Sequence, residues 1–216
     1  MRKEVKIDNI LIRWLGYASF EISNDLLIYI DPVQLRKPRI ADIILITHHH
    51  PRHFNKKILN SIMSKETTIV CPYKVHFMLK EVPNVIPVKP GDVITVKNIE
   101  IWATPAYNVN KFNSDGFPIH PREELNVGYS IYYDDLVIYH TGDTDNILEL
   151  RGIKCDVLLL PIGGKCVMTI DEAIKAAKTI NPKKGVIPMH YDLSELPKEK
   201  IEDFIRELSM SGIIVL

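Results

Sequence analysis

Apolar positions along this chain follow two rhythms, short strand-sized runs and helical spacings, and each half of the sequence uses both. Ile10 to Trp14, Ala18 to Ile22 and Leu26 to Ile30 carry apolar runs broken at Gly16 and at Ser23-Asn24-Asp25. They predict three strands, the last two joined by a hairpin turn at the Asn-Asp pair. Ala41-Asp42-Ile43-Ile44-Leu45-Ile46 reads as a buried strand, and Thr67 to Val70 and Ile99 to Ala103 read as two more. Pro83 and Pro87 bracket an edge-like segment, and Pro90-Gly91-Asp92 marks a turn. Ile58, Leu59, Ile62 and Met63 share one helical face behind Asn55, whose side chain suits an N-cap.

The second half repeats the style. Val127 to Tyr133 and Leu136 to Tyr139 predict a hairpin around Asp134-Asp135. Asp156 to Leu160 and Lys184 to Pro188 are continuous apolar runs, as in a sheet buried on both faces. Ala173, Ile174, Ala177 and Ile180 line one face of a helix that Thr169 caps, with Glu172 as its capping-box partner. Pro197 opens a last amphipathic helix through Ile201, Phe204, Ile205 and Leu208, and Ile213 to Leu216 reads as a closing strand. Two β-rich halves packed face to face, with helices outside, give a four-layer αββα sandwich of the α/β (α+β) class. A length of 216 residues is most simply one domain over 1–216, with a core that needs no staples.

Composition removes some functions. Lys plus Arg and Asp plus Glu stand at 27 each, so no global field draws nucleic acid or an anionic membrane. The amino terminus Met1 to Lys6 is charged and lacks the apolar core of a signal peptide, and no apolar run approaches the ~20 residues that span a bilayer. Cys71, Cys155 and Cys166 are odd in number with no close-spaced pair, which suits a reducing compartment and a cytoplasmic protein.

Chemistry enters at Thr47-His48-His49-His50-Pro51-Arg52-His53, directly after the buried strand. Four histidines in six positions are costly to hold together unless their lone pairs are used, and imidazole is the commonest protein ligand for zinc. A histidine-rich surface turn is the alternative. Two other apolar strands weigh against it, because they end in His140-Thr141-Gly142-Asp143 and Met189-His190. Sites of α/β sheets form outside the carboxyl ends of strands, so the three ends look like contributors to one site. Residues 105–126 lack periodicity but carry Tyr107, Phe112 and Phe117, and a loop of this length is read as functional.

On these residues the chain resembles the metallo-β-lactamase-fold hydrolases, in the compact prokaryotic branch similar to ascorbate-6-phosphate lactonase. His48-x-His50-x-Arg52-His53 matches the superfamily's His-x-His-x-Asp-His, Asp143 its bridging Asp and His190 its final His. Gly16-Tyr17-Ala18-Ser19-Phe20, Asp31-Pro32 and Pro161-Ile162-Gly163-Gly164 match as well, so the resemblance covers nearly the whole chain. It implies the αββα fold and a first metal held by His48, His50 and an isolated mid-chain His. It further implies a second metal on the motif Asp, His53 and His190, with Asp143 bridging both. A metal-bound hydroxide, its pKa lowered toward ~7, would then attack a small anionic ester, lactone or phosphoester.

Three positions depart from the family. Tyr17 stands where the branch has a His and is read as a donor to a substrate oxygen. Thr104-Pro105-Ala106-Tyr107-Asn108 lacks the mid-chain His, for which His120 is the nearest substitute. Arg52 replaces the motif Asp, and a guanidinium offers five donors and no acceptor. At ~5 Å from a divalent ion and an effective dielectric of ~20, its repulsion would be roughly 6–7 kcal/mol. One ion rather than two is therefore expected, zinc with manganese as the alternative. Arg52 then takes the second ion's place, pairing with Asp143 or clamping a substrate anion, unless it turns outward.

Asn108, Lys111 and Lys165 are the substrate-binding candidates, and the partner expected is a small molecule, with a homo-oligomer left open. His49 is expected to face away from its neighbours, His140 to pack or hydrogen-bond, and His76 to be solvated or partly buried. Cys71 and Cys155 read as packed apolar groups. So does Cys166, with a pocket wall or soft ligand as its alternative. A hydrolase is the leading reading. A metal-poor, non-catalytic binding member of the fold is the alternative, and the neutral charge balance argues against a nuclease.

Overall fold

The computed structural model describes residues 4–35, 37–192 and 196–216. The chain forms two compact units, Met1–Lys89 and Pro90–Leu216, each built on one mixed sheet. In the first, β1 (Glu4–Ile7), β2 (Ile10–Gly16), β3 (Ser19–Ser23), β4 (Leu27–Ile30), β5 (Ile43–Leu45), β6 (Thr68–Pro72) and β7 (Val85–Val88) lie side by side in sequence order. The strands β1 to β4 are an antiparallel meander, whereas β4 to β7 are parallel. Parallel neighbours need crossover connections, which α1 (Lys56–Ile62) and α2 (Tyr73–Met78) provide on either side of β6.

Asn55 caps α1 as expected, its side-chain oxygen accepting from the backbone of Lys57 and Ile58 at 3.0 and 3.3 Å. Leu59, Ile62 and Val75 from these helices bury against Leu27, Tyr29 and Ile44 of the sheet. Each such aliphatic side chain contributes about 1.5–3 kcal/mol. β7 lies at the sheet edge, where Pro87 is tolerated because its missing N–H breaks no inner ladder.

The second unit follows the same plan. Its strands are β8 (Val93–Val96), β9 (Ile99–Pro105), β10 (Val127–Tyr133), β11 (Leu136–His140), β12 (Val157–Pro161) and β13 (Gly185–Met189), in spatial order β13-β12-β11-β10-β9-β8. β8 to β11 are antiparallel and β11 to β13 parallel. Helix α3 (Ile170–Ile180) crosses from β12 to β13, and α4 (Lys198–Met210) follows. Ala173, Ala177 and Ile180 pack with Phe204 and Leu208 in one apolar cluster. The Thr169–Glu172 capping box is present.

Three elements differ from the pattern-based expectation. β1 and β8 are short, with half their residues exposed, and their weak alternation gave no signal. Residues 213–216 do not form a strand; Val215 makes a single parallel bridge to Val186. Val186 donates to the carbonyl of Ile214 and accepts from the amide of Leu216, at 2.8 and 2.9 Å. Two residues further along, Pro188 has no N–H to continue that ladder.

Candidate metal centre

In the first unit the carboxyl ends of parallel β4 and β5 deliver Asp31 and Thr47 side by side. Asp31 is fully buried and its backbone is left-handed, with φ 46°. Its Oδ1 accepts from the Thr47 amide at 2.8 Å, and its Oδ2 accepts from the Thr47 hydroxyl at 2.6 Å and from His53 Nδ1 at 2.7 Å. With its one proton given to Asp31, the Thr47 hydroxyl accepts from His48 Nδ1 at 3.0 Å. Both imidazoles are thereby fixed in the tautomer with Nδ1 protonated, which leaves the lone pair on Nε2. This is how metal-binding histidines are oriented: a buried carboxylate or hydroxyl behind the ring sets its direction and raises its basicity.

The His48 and His53 rings lie with centroids 3.9 Å apart, tilted by 42°, and the half-buried His50 ring lies 4.7 Å from that of His48. The turn that carries them is closed by amides of His53 and Phe54, both donating to the His50 carbonyl at 2.9 Å. Tyr17, left-handed at φ 54° after the bulge at Gly16, sets its ring edge-on to His53 at 5.4 Å. Arg52 is exposed, and its guanidinium carbon lies 5.2 Å from the centre of the Tyr17 ring.

In the second unit β11, β12 and β13 are parallel, so their carboxyl ends open at one edge of the sheet and carry Asp143, the Gly163–Cys166 loop and His190. Asp143 is buried, with Oδ2 at 3.0 Å from His190 Nε2 and 3.7 Å from His120 Nε2. Burial alone would lower the His190 pKa, but the Asp143 carboxylate outweighs it and the Cys166 side chain adds to it, raising the value to about 9. His190 has the left-handed φ of 67°, and a Cβ on Gly163 would sit 2.2 Å from its carbonyl oxygen and 3.1 Å from its Nδ1. Only glycine fits there. A carboxylate oxygen of Asp143, the sulfur of Cys166 and an imidazole nitrogen of His190 all lie within 4.8 Å of one another.

The long loop is tied down from within this unit. Asn108 accepts through Oδ1 from the amide and Nδ1 of His120, at 3.0 and 2.9 Å, and donates through Nδ2 to the Cys166 carbonyl at 3.2 Å. His120 is thus also held with its lone pair on Nε2, beside Asp143. Asp145 accepts from the amides of Val109 and Asn110 at 2.7 and 2.9 Å. Lys111 reaches Asp145 at 3.2 Å and Glu172 at 2.8 Å. Burial would raise the Glu172 pKa, but hydrogen bonds from Lys111, Asn110 and the Thr169 amide bring it down to about 2.

Among the expected site residues, His48, His50, His53, Tyr17 and Arg52 therefore gather in one unit, and His120, Asn108, Asp143 and His190 in the other. The Lys111 ammonium is taken up by two carboxylates, and Lys165 is exposed. His140 is fully buried and accepts from the Gly142 amide at 3.1 Å, and His76 is half-buried. Asp31, Thr47 and Asp145 had not been singled out for any role. Asp31 and Thr47 share one signal, a polar residue just past the end of an apolar strand.

The model of the beta-lactamase superfamily domain matches residues 11–190. A UPF0173 metal-dependent hydrolase of Methanoculleus marisnigri is 31% identical over 209 residues, spanning 94% of this chain and 90% of its own. One from Methanopyrus kandleri is 32% identical over 221 residues, with 94% of each chain covered. A crystal structure from Parabacteroides distasonis superposes with a TM-score of 0.83 at 29% identity, covering 99% of this chain and 96% of the other. A metallo hydrolase from Ignicoccus hospitalis shares the fold, with a TM-score of 0.75 at 24% identity over 95% and 93% of the two chains.

Proposed function

This chain belongs to the metallo-β-lactamase superfamily, and on that premise we propose that it is a metal-dependent hydrolase of a small anionic ester, lactone or phosphoester. The observation that carries the reading is the support behind His48 and His53: Asp31 and Thr47 hold both rings by Nδ1, so that both offer Nε2. A histidine turn without a ligand has no use for such a fully buried, saturated carboxylate. His120 is held in the same way by Asn108.

The donors that would hold the metal are those of the family's ligand set, His48, His50, His53, Asp143 and His190, with His120 for the mid-chain histidine. Imidazole donors with a carboxylate suit zinc, and manganese is the alternative. When bound, such an ion supplies Lewis acidity and a water of lowered pKa. Arg52 removes one carboxylate from the family's set, so on those donors alone one ion per chain is expected, and a second needs a donor outside the set. The exposed Arg52, resting on Tyr17, offers a guanidinium to a substrate carboxylate or phosphate, and the Tyr17 hydroxyl a hydrogen bond.

The test is to strip the protein with chelator, titrate zinc or manganese by calorimetry, and assay an activated phosphodiester and a simple lactone. Tight metal binding, with turnover that the metal restores and His48→Ala removes, is the expected result. Absence of binding at micromolar metal would overturn the reading. Metal binding with no turnover of any anionic ester would make the chain a binding member of its fold.

A further inference from the structure

We propose that Cys166 is a metal ligand, forming with Asp143 and His190 a three-donor site carried wholly by the second unit. The proposal rests on the reading above that the chain binds metal, and supplies a donor in place of the family carboxylate that Arg52 removes. The three donor atoms already lie within 4.8 Å of one another. Zinc bonds of 2.0–2.3 Å in a tetrahedral site place ligand atoms roughly 3.3–3.8 Å apart, so closing on an ion needs a shift of at most about 1.5 Å.

The placement of the thiol is built into the backbone. The Gly164 amide donates to the Met168 carbonyl at 3.0 Å, and the Met168 amide to the Thr144 carbonyl, next to Asp143, at 3.2 Å. Asn108, the residue that orients His120, holds the Cys166 carbonyl. Gly163 lets the loop press against His190. Cys166 is therefore fixed relative to both of its partners by contacts that have nothing to do with packing its own sulfur.

The other two thiols show what a packed cysteine looks like here. Cys71 and Cys155 are both buried away from water, and burial pushes each up to about 12. Cys166 is only half-buried and faces a carboxylate and an imidazole.

The charge count agrees. Arg52 stands where the family has a carboxylate, and a thiolate beside Asp143 restores two negative donors for a divalent cation. Binding replaces the S–H bond with a metal–sulfur bond and releases that proton to solvent, since a coordinating thiol is deprotonated outright. A sulfur donor also selects the metal: zinc or another thiophilic ion is preferred to manganese, which favours oxygen ligands.

Cobalt(II) reads this directly. Full-length, chelator-stripped protein titrated with cobalt should develop visible d–d bands together with a near-ultraviolet sulfur-to-cobalt charge-transfer band. Cys166→Ser should lose the near-ultraviolet band, hold one ion fewer per chain and keep the visible bands of the histidine-held ion. Zinc should also shield Cys166 of the unmodified protein from iodoacetamide, read by peptide mass spectrometry, which needs no variant to fold. Visible bands without the near-ultraviolet band, or alkylation of Cys166 unchanged by zinc, would overturn the thiolate ligand while leaving the metal-binding reading intact. No cobalt bound at all would overturn both.

Discussion

The two units present their donors in opposite ways. In the first, the carboxylate is behind the histidines: Asp31 is saturated by Thr47 and His53, and it fixes the His48 and His53 rings in advance. In the second, the carboxylate is in front: Asp143 meets His190 Nε2 itself at 3.0 Å, and that contact raises the pKa of the ring. The first unit thus holds imidazole lone pairs ready, whereas the second pairs an imidazole with a carboxylate. The first unit therefore supplies rigidity, and the second a group whose charge depends on pH.

Removing the support from the first unit should have the largest effect. Asp31→Ala leaves the His53 imidazole and the Thr47 hydroxyl and amide, all buried, without their acceptor and should cost about 3–5 kcal/mol in urea unfolding. Zinc affinity should fall about 10–100-fold, as for loss of other outer-sphere partners. Wild-type stability in this variant would show that the rings are held by something else. Gly163→Ala tests the second unit, where the new methyl must push the His190 backbone away; about 1–3 kcal/mol is expected, with weakened metal binding. Asp143→Ala sharpens the comparison without needing a metal: with the carboxylate gone, burial dominates and the His190 pKa falls well below 9, followed by imidazole NMR in the chelated protein. A value that stays near 9 would put the cause elsewhere.

The smallest effect is on the loop. The folded pKa of Glu172, about 2, lies below its ordinary value of 4.5, so its contribution is present above pH 4.5 and fades as pH falls toward 2. Amide exchange of residues 109–111 should speed up over that window, and Glu172→Gln should do the same at pH 7. Exchange rates indifferent to both would detach Glu172 from the loop.

Much of this was legible in the sequence, for identifiable reasons. His48, His50, His53, Asp143 and His190 stand at the ends of apolar runs, where side-chain chemistry and strand geometry coincide. Asn55 and Thr169 announce their helices by local spacing alone. Asp145 escapes because its work is to accept hydrogen bonds from backbone N–H groups, which leaves no pattern of residue types, and Asp31 shows in the sequence as part of a matched motif but not as the acceptor behind His53. Lys111 looks like an anion binder because its partner Glu172 is 61 positions away. Arg52 can be read in the sequence as a charge but not as a direction; the fold sets it over Tyr17. β1 and β8 were missed because strands half open to water carry too few apolar positions to stand out.

The bridge between Val215 and Val186 has a consequence for handling the protein. β13 is the last strand of its sheet, fully buried along its length, and it ends one residue before His190. Residues 214–216 cover its outer edge with two hydrogen bonds, and Leu216 lies against Gly185, leaving no room for a side chain there. Stripped of that cover, an apolar strand becomes a template for pairing with other chains. Deleting Ile214 to Leu216 should therefore show first as concentration-dependent aggregation, and only then as lost chemistry.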